Sequence, residues 1–196
     1  MMSDIDSFEA LQKADSTRTQ ILNAAMLCII QLGPSRTNIS TIANQAGLSR
    51  PTVYSYFEKL EDLLQEAISV GTNLLCDAIE SHAKTFPTPE ERIIAAFTHT
   101  LGLAGQVDVL RKPMSFDLPD TNRDILPDEA IVAARRVLGA LIDDMPSDEE
   151  RANEIAETAV RFFLSLAAYA RPTAARDDLA GYVRRAVLPA LGLGKR

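Results

Sequence analysis

Residues 37–64 read TNISTIANQAGLSRPTVYSYFEKLEDLL, which predicts two short helices joined by a tight turn and followed at once by a longer helix. Ala43 and Ala46 are small, as two short helices that cross steeply require at their contact. Gly47 stands between the two halves, because this connection needs a residue that tolerates a positive φ. Ser49 is a good N-cap for the second helix. The stretch therefore predicts a helix-turn-helix.

Apolar residues spaced by three and four predict a helix on each side of this motif. The helix before it runs from about residue 16 to 32 and ends at Gly33-Pro34. The helix after it runs from Leu60 to about residue 86 and would be about 39 Å long at 1.5 Å per residue. Such a rod is either a lever between the two ends of the molecule or simply a long core helix. Its apolar stripe comprises Leu60, Leu63, Leu64, Ala67, Ile68, Gly71, Leu74, Leu75, Ala78, Ile79 and His82.

Helical periodicity continues to the end of the chain, interrupted by a proline-containing irregular stretch over residues 113–127. The further predicted helices cover about 89–105, 107–112, 127–143, 148–169 and 175–191. The sequence thus predicts an all-α protein of about nine helices. Its expected parts are a flexible arm (1–15), a small unit with the helix-turn-helix (16–59) and a larger helical body (60–196).

Charge is divided unevenly along the chain, whose formal net charge is −7. Residues 16–59 hold four basic residues against Glu58 alone, a net charge of +3, so the rest carries −10. A basic unit on an acidic body is typical of a module that faces phosphates, and it argues against a protein that coats DNA nonspecifically. Because +3 is small, two copies acting together would bind better than one.

The cysteines, the histidines and the lengths of the apolar runs bear on the compartment of the protein and on its chemistry. Cys28 and Cys76 lie far apart in apolar helical patterns, which indicates buried thiols in a reducing cytosol. No apolar run approaches the ~18–20 residues of a membrane span, and the acidic amino terminus is not a secretory signal. His82 and His99 do not have the spacing of a metal pair, and no catalytic motif argues for an enzyme. We expect a cytoplasmic protein without metal or cofactor.

The central stretch resembles the DNA-binding signature of TetR-family transcriptional regulators. The residues that carry the resemblance are I42-A43-x-x-A46-G47-x-S49-x-x-x-x-Y54-x-Y56-F57, with Leu63 six residues later, within roughly residues 16–64. One position departs from the family pattern. The family usually has a lysine three residues after the phenylalanine, where it touches a phosphate. Here that position is Leu60, and Lys59 stands one residue earlier.

The resemblance implies that the second motif helix lies in the major groove of DNA. Arg50 would pair with a guanine or hold a phosphate, and Thr52 would contact a base. Tyr54 and Tyr56 would touch the sugar-phosphate backbone, although Tyr56 is also a candidate for the small core. Arg36 and Lys59 are phosphate anchors or ordinary solvated charges. The predicted DNA-binding residues are Arg36, Asn38, Ser49, Arg50, Pro51, Thr52, Tyr54, Tyr56 and Lys59.

For the body, the resemblance implies a small-molecule pocket and a dimer interface formed by the last two helices. The pocket candidates, each of which is alternatively a core or surface residue, are Phe97, His99, Leu101, Met114, Phe116, Asn122, Phe162 and Tyr169. The interface candidates, which alternatively complete the core of a monomer, are Ala156, Ala159, Phe163, Tyr182, Val183, Ala186 and Val187. The expected function is a repressor that binds a palindromic operator as a homodimer and is released by a small-molecule inducer. The alternatives are a helical interaction module without sequence-specific DNA binding and a transcriptional activator.

Overall fold

The computed structural model describes residues 17–104, 128–143, 145–169 and 178–193, and over these ranges it contains eight helices, a short 3₁₀ helix at Pro34–Arg36 and no strand. This confirms the predicted all-α fold. The predicted arm and the predicted helix at 107–112 lie outside the described residues. The helices are α1 (Thr17–Leu32), α2 (Ile39–Ala46), α3 (Arg50–Tyr56), α4 (Leu60–Ala83), α5 (Pro89–Ala104), α6 (Asp128–Leu141), α7 (Glu149–Tyr169) and α8, which consists of Leu179–Tyr182, a π-helical turn over Val183–Val187 and Leu188–Ala190.

The chain forms two compact units, Met1–Thr72 and Asn73–Arg196. The first unit extends past residue 59, where the sequence analysis ends the DNA-binding part, because Leu63 and Ala67 of α4 are fully buried in its core. The first turns of α4 therefore belong structurally to the amino-terminal unit. Helix α4 itself continues across the boundary between the two units.

The core of the first unit takes apolar side chains from each of its four helices. A hydrogen bond from Gln20 Nε2 to the carbonyl oxygen of Ala46, 2.7 Å long, also ties α1 to the end of α2. The buried apolar side chains are Ile21, Leu22, Ala24, Ala25, Met26, Cys28, Ile39, Ile42, Ala43, Ala46, Val53, Phe57, Leu63 and Ala67. Their burial is the main term that stabilises this small unit.

The second unit packs the rest of α4 together with α5, α6, α7 and α8. Helix α5 begins with a reciprocal cap, in which the N–H of Glu91 donates to Thr88 Oγ1 and the N–H of Thr88 donates to the Glu91 carboxylate. The buried core consists of Cys76, Ile79, Ala83, residues 93–97, Val137, Leu138, Leu141, Ile142, Ala156, Ala159, Val183, Val187, Leu188 and Leu191. Among the described helices, none is both long enough and apolar enough to cross a membrane.

The apolar stripe predicted for α4 is only partly buried in the structure. Ile68, Leu75 and His82, which belong to this stripe, are exposed. Leu63 and Ala67 of α4 belong to the core of the first unit. Cys76, Ile79 and Ala83, further along the same helix, belong to the core of the second unit. Residues seven apart lie on the same side of a helix, so Ile68, Leu75 and His82 form one row outside both cores.

Candidate nucleic-acid interface

The start of α2 is fixed by a capping box. Asn38 Oδ1 accepts hydrogen bonds from the backbone N–H groups of Ser40 (3.0 Å) and Thr41 (3.1 Å). In return Thr41 Oγ1 accepts the N–H of Asn38 at 3.0 Å. These bonds satisfy donors that a helix start leaves unpaired. Asn38, a predicted DNA contact, thus uses its amide oxygen inside the protein while its side chain remains at the surface.

The turn between α2 and α3 depends on the backbone conformation of Gly47. Its φ of 66° and ψ of 29° lie in the left-handed region, which residues with a Cβ avoid. The N–H of Leu48 donates to the carbonyl oxygen of Ala43 at 2.9 Å, which closes the end of α2. This confirms the role predicted for the glycine and sets the direction in which α3 leaves.

The start of α3 is held by two hydroxyl groups. Ser49 is the N-cap, as predicted, and its Oγ accepts the backbone N–H of Thr52 at 3.2 Å. The same Oγ lies 2.8 Å from Thr52 Oγ1, so the two side chains also bond to each other. Pro51 occupies the first turn, where the absence of an N–H costs nothing. Ser49 and Thr52 are therefore oriented before any partner arrives.

Most of α3 faces solvent. Within the helix only Val53 is buried, with no exposed surface, and Phe57, the residue that caps its end, is 4% exposed. Tyr54 is 52% exposed and Tyr56 45% exposed, so the alternative that Tyr56 belongs to the small core is wrong. A helix with one buried residue and two outward tyrosines presents a polar, aromatic surface. Its exposed residues are Arg50, Pro51, Tyr54, Ser55 and Tyr56.

The cations near this surface have different environments. Lys59 is exposed immediately before α4, whereas Leu60 is half-buried against the core of the first unit. Leu60 thus supports the helix from inside, and Lys59 is the cation that this junction presents. Arg36 is exposed, and its Nε donates to the carbonyl oxygen of Leu32 at 2.8 Å. That bond places its charge at the carboxyl end of α1, where the helix dipole favours a cation.

The net charge of +3 counted over residues 16–59 is cancelled when the start of α4 is included. Residues 17–72 contain four basic and four acidic residues, because the unit includes the start of α4 with Glu61, Asp62 and Glu66. Arg18 is engaged by Glu66, with Arg18 Nη2 donating to Glu66 Oε2 at 2.6 Å and Nη1 to Oε1. This hydrogen bonding raises the pKa of Arg18 above its ordinary value. Residues 17–72 therefore carry no net charge.

The two cysteines are buried, one in each unit, as the sequence predicted. Burial raises the pKa of the Cys28 thiol, while a hydrogen bond with Thr41 partly opposes it. Burial also raises the pKa of Cys76, against the attraction of the nearby Arg136 charge. Both residues are therefore neutral thiols inside the protein at neutral pH. Among the described residues, no group of three or more His, Cys, Asp or Glu side chains is placed to hold a metal ion.

The predicted pocket residues are only partly within the described chain. Phe97 is buried in the core of the second unit, and Leu101 and Phe162 are half-buried. His99 is half-buried, and its ring stacks on that of His82 with centroids 4.3 Å apart and an interplanar angle of 18°. The sequence did not signal this contact between helices α4 and α5. Met114, Phe116 and Asn122 lie outside the described residues, as does the side chain of Tyr169.

The predicted interface residues fall into two groups. Ala156, Ala159, Val183 and Val187 are buried in the core that α7 and α8 share with the rest of the second unit, so the single chain already covers them. Phe163, Tyr182 and Ala186 are half-buried. The alternative that α7 and α8 complete the core of the single chain therefore applies to the first group.

Comparison with known proteins agrees with this geometry. Residues 21–67, which span α1 to the second turn of α4, match the family model described as bacterial regulatory proteins of the tetR family. Residues 21–67 form a DNA-binding domain of the TetR family. The match contains the capping box, the left-handed turn and all of α3, and the TetR-family resemblance inferred from the sequence is confirmed.

Relatives extend the TetR-family similarity beyond the matched segment. The chain is 27% identical over 157 residues to an uncharacterized HTH-type transcriptional regulator of Mycobacterium tuberculosis, which covers 79% of this chain and 76% of the relative. It is 27% identical over 99 residues to the fatty acid metabolism regulator protein of Bacillus subtilis, covering 46% and 51%. The fold matches a solved transcriptional regulator of Streptomyces coelicolor with a TM-score of 0.59 at 20% identity, covering 86% of this chain and 96% of that one.

Proposed function

We propose that this TetR-family regulator is a ligand-responsive repressor that binds a palindromic operator as a homodimer. The observation that carries the proposal is the surface of α3, where Arg50, Tyr54 and Tyr56 are exposed on a helix anchored by a single buried residue. A recognition helix places its amino-terminal residues at base edges in the major groove. Arg50 is the first residue of α3 and the only basic residue within it.

The hydrogen bonds at the start of α3 support the same function. Thr52 is held through its hydroxyl by Ser49, so its methyl group is available for a thymine. Tyr54 and Tyr56 carry hydroxyls that suit phosphate oxygens, and Lys59 supplies a charge beside them. Contacts to phosphate fix the register of the helix on the duplex, while Arg50 and Thr52 read bases.

Two copies are needed for useful affinity in this proposal. Residues 17–72 carry no net charge, so attraction between one copy and DNA is weak, and a second copy doubles the number of contacts. Phe163, Tyr182 and Ala186 on α7 and α8 keep part of their surface outside the core, and we place the contact between protomers there. A two-fold dimer implies a palindromic operator.

The effector in this proposal is a small molecule taken up by the second unit. Fatty acids are the first ligands to test, because one relative is named a regulator of fatty acid metabolism. An inducer would lower operator affinity. We place the protein in the cytoplasm, where the bacterial chromosome lies, and assign it no catalytic activity and no cofactor.

Binding to DNA is tested by fluorescence anisotropy with the duplex upstream of the protein's own gene and a scrambled duplex of the same length. Arg50→Ala should weaken selective binding about tenfold or more, since a good arginine–guanine pair contributes roughly 1–3 kcal/mol of discrimination. Arg161→Ala is the matched control, because Arg161 is an exposed arginine of the second unit. Equal affinity of wild type and Arg50→Ala for the operator would refute the role of Arg50.

A helical interaction module without specific DNA binding is the second candidate, and the absence of net charge over residues 17–72 favours it. A genome-wide selection of bound fragments separates the two, because the module would enrich none at any salt concentration. A reporter gene placed behind an enriched fragment then distinguishes repressor from activator. Expression should rise when the regulator gene is deleted if it is a repressor and fall if it is an activator.

A further inference from the structure

We infer that Arg18 is a positioning residue for the recognition helix. It acts by contacting Phe57 and Glu66 at once, a pair of contacts that we call the Arg18 bracket, and not by contacting DNA. The inference rests on the proposed DNA-binding function. Arg18 lies in the first turn of α1, and Glu66, its partner, lies 48 residues later on α4. One side chain thus connects the beginning of the unit to its last helix.

The guanidinium of Arg18 is engaged along both its edge and its face. Its two terminal nitrogens donate to the two oxygens of Glu66, an arrangement that only the planar fork of an arginine can form. Its central carbon lies 4.9 Å from the centroid of the Phe57 ring, within the range of a cation–π interaction. A lysine would keep the charge but not this pair of contacts.

Phe57 is the residue through which the bracket reaches α3. It caps the end of α3, and its N–H donates to the carbonyl oxygen of Val53 at 3.0 Å. Val53 and Phe57 are the buried anchors of a helix of seven residues whose other side chains lie at or near the surface. The direction of so short a helix depends on few contacts, so a cation resting on the Phe57 ring restrains it directly.

The Arg18 bracket is partly exposed, so its removal can change the position of α3 without changing the stability of the fold. The side chain of Arg18 is 49% exposed and that of Glu66 34% exposed. Pairs at this exposure contribute little to the free energy of folding. Removing the bracket should therefore leave the fold intact, while the end of α3 becomes free to move. A small displacement of α3 is costly for DNA recognition because its contacts require hydrogen-bond geometry.

Three variants test the inference: Arg18→Met, Arg18→Lys and Glu66→Gln. Each should weaken operator binding about tenfold, given a bracket in both protomers of a dimer. The double variant Arg18→Met with Glu66→Gln should bind no more weakly than either single variant, because the two residues act as one unit. The salt dependence of binding should match that of wild type in every case.

A direct phosphate contact by Arg18 gives the opposite pattern, which would overturn the inference. Arg18→Met would then flatten the slope of log K against log salt by about 0.9 for each protomer. Arg18→Lys would bind nearly as well as wild type, and Glu66→Gln would bind more tightly because it releases a cation. Unchanged affinity in Arg18→Met would overturn the inference as well.

Hydrogen exchange without DNA keeps the inference testable if the proposed function fails. Arg18→Met should speed exchange of the Val53 and Phe57 amides, which donate to the carbonyl oxygens of Ser49 and Val53. Amides of α6 and α7 are the internal control and should be unchanged. Wild-type exchange at Val53 and Phe57 would overturn the positioning role, whereas a wild-type protein that selects no DNA would overturn only the proposed function.

Discussion

Tyr54 and Tyr56 are large aromatic residues left exposed on a short helix. An exposed tyrosine contributes little to folding, so its hydroxyl can be removed without affecting the core. This makes the two residues suitable for separating recognition from stability. The neighbouring hydroxyls of Ser49 and Thr52 are less suitable, because they also hold the start of α3.

We predict that Tyr54→Phe and Tyr56→Phe each weaken operator binding by about 1 kcal/mol for each protomer, the usual contribution of one hydrogen bond. The melting temperature should stay within experimental error of wild type. Ser81→Ala, which removes an exposed hydroxyl from the second unit, is the control and should leave affinity unchanged. Anisotropy titrations and thermal scans on the same samples provide both quantities. If both α3 variants bind with wild-type affinity, the two phenol hydroxyls do not contact DNA.

At the level of elements, the turn from α2 to α3 determines whether the motif forms. Gly47 has a φ of 66°, and a Cβ added there would meet no neighbouring atom within 4 Å. Any penalty for a larger residue at this position is therefore a backbone penalty. Gly139, inside α6, has equally open surroundings and lies within a helix.

Substitution of these two glycines by alanine should change the free energy of unfolding in opposite directions. Gly47→Ala should destabilise the protein by about 1–2 kcal/mol, because a Cβ disfavours the left-handed region. Gly139→Ala should stabilise it by about 0.5–1 kcal/mol, because alanine is the better helix former. Urea denaturation followed by circular dichroism gives both values. A Gly47→Ala variant as stable as wild type would mean that the turn relaxes to another conformation.

Much of this architecture was predictable from local sequence signals. The helix-turn-helix, its caps at Asn38 and Ser49, and the role of Gly47 all depend on residues a few positions apart, which a sequence displays directly. The Arg18–Glu66 pair was not predictable, because it depends on how α1 packs against α4 across 48 residues. The stacking of His82 on His99 was missed for the same reason. Periodicity placed Ile68 and Leu75 on the apolar stripe of α4, but it cannot tell a core-facing row from an exposed apolar row.

At the scale of the whole molecule, each unit contains one buried, neutral thiol. Burial raises the pKa of both Cys28 and Cys76 in the folded state. Unfolding exposes the thiols and returns each pKa to its ordinary value of about 8.5. The folded state therefore holds its thiol protons more tightly than the unfolded state does.

The sign of the resulting pH dependence follows from linkage. Below the ordinary thiol pKa both states are protonated, and the stabilisation from the thiols is fully present. Above it the unfolded state loses protons first, so the free energy of unfolding should fall as the pH rises from about 8.5 towards the raised folded values. Cys28→Ala and Cys76→Ala should each reduce this slope relative to wild type, as measured by urea denaturation between neutral and alkaline pH. If both variants keep the wild-type slope, groups other than the two thiols cause the loss of stability at alkaline pH.

The equal number of acidic and basic residues over residues 17–72 has a consequence for how such a regulator would behave in a cell. Nonspecific attraction to the chromosome grows with the number of phosphates neutralised, and it fades as salt rises. A DNA-binding segment without net charge gains little from that attraction, so the protein would spend little time on unrelated sequences. Its occupancy of the operator would depend chiefly on shape and hydrogen bonding. Osmotic stress changes the ionic content of a bacterial cell, and gene control built on such a unit would be buffered against that change.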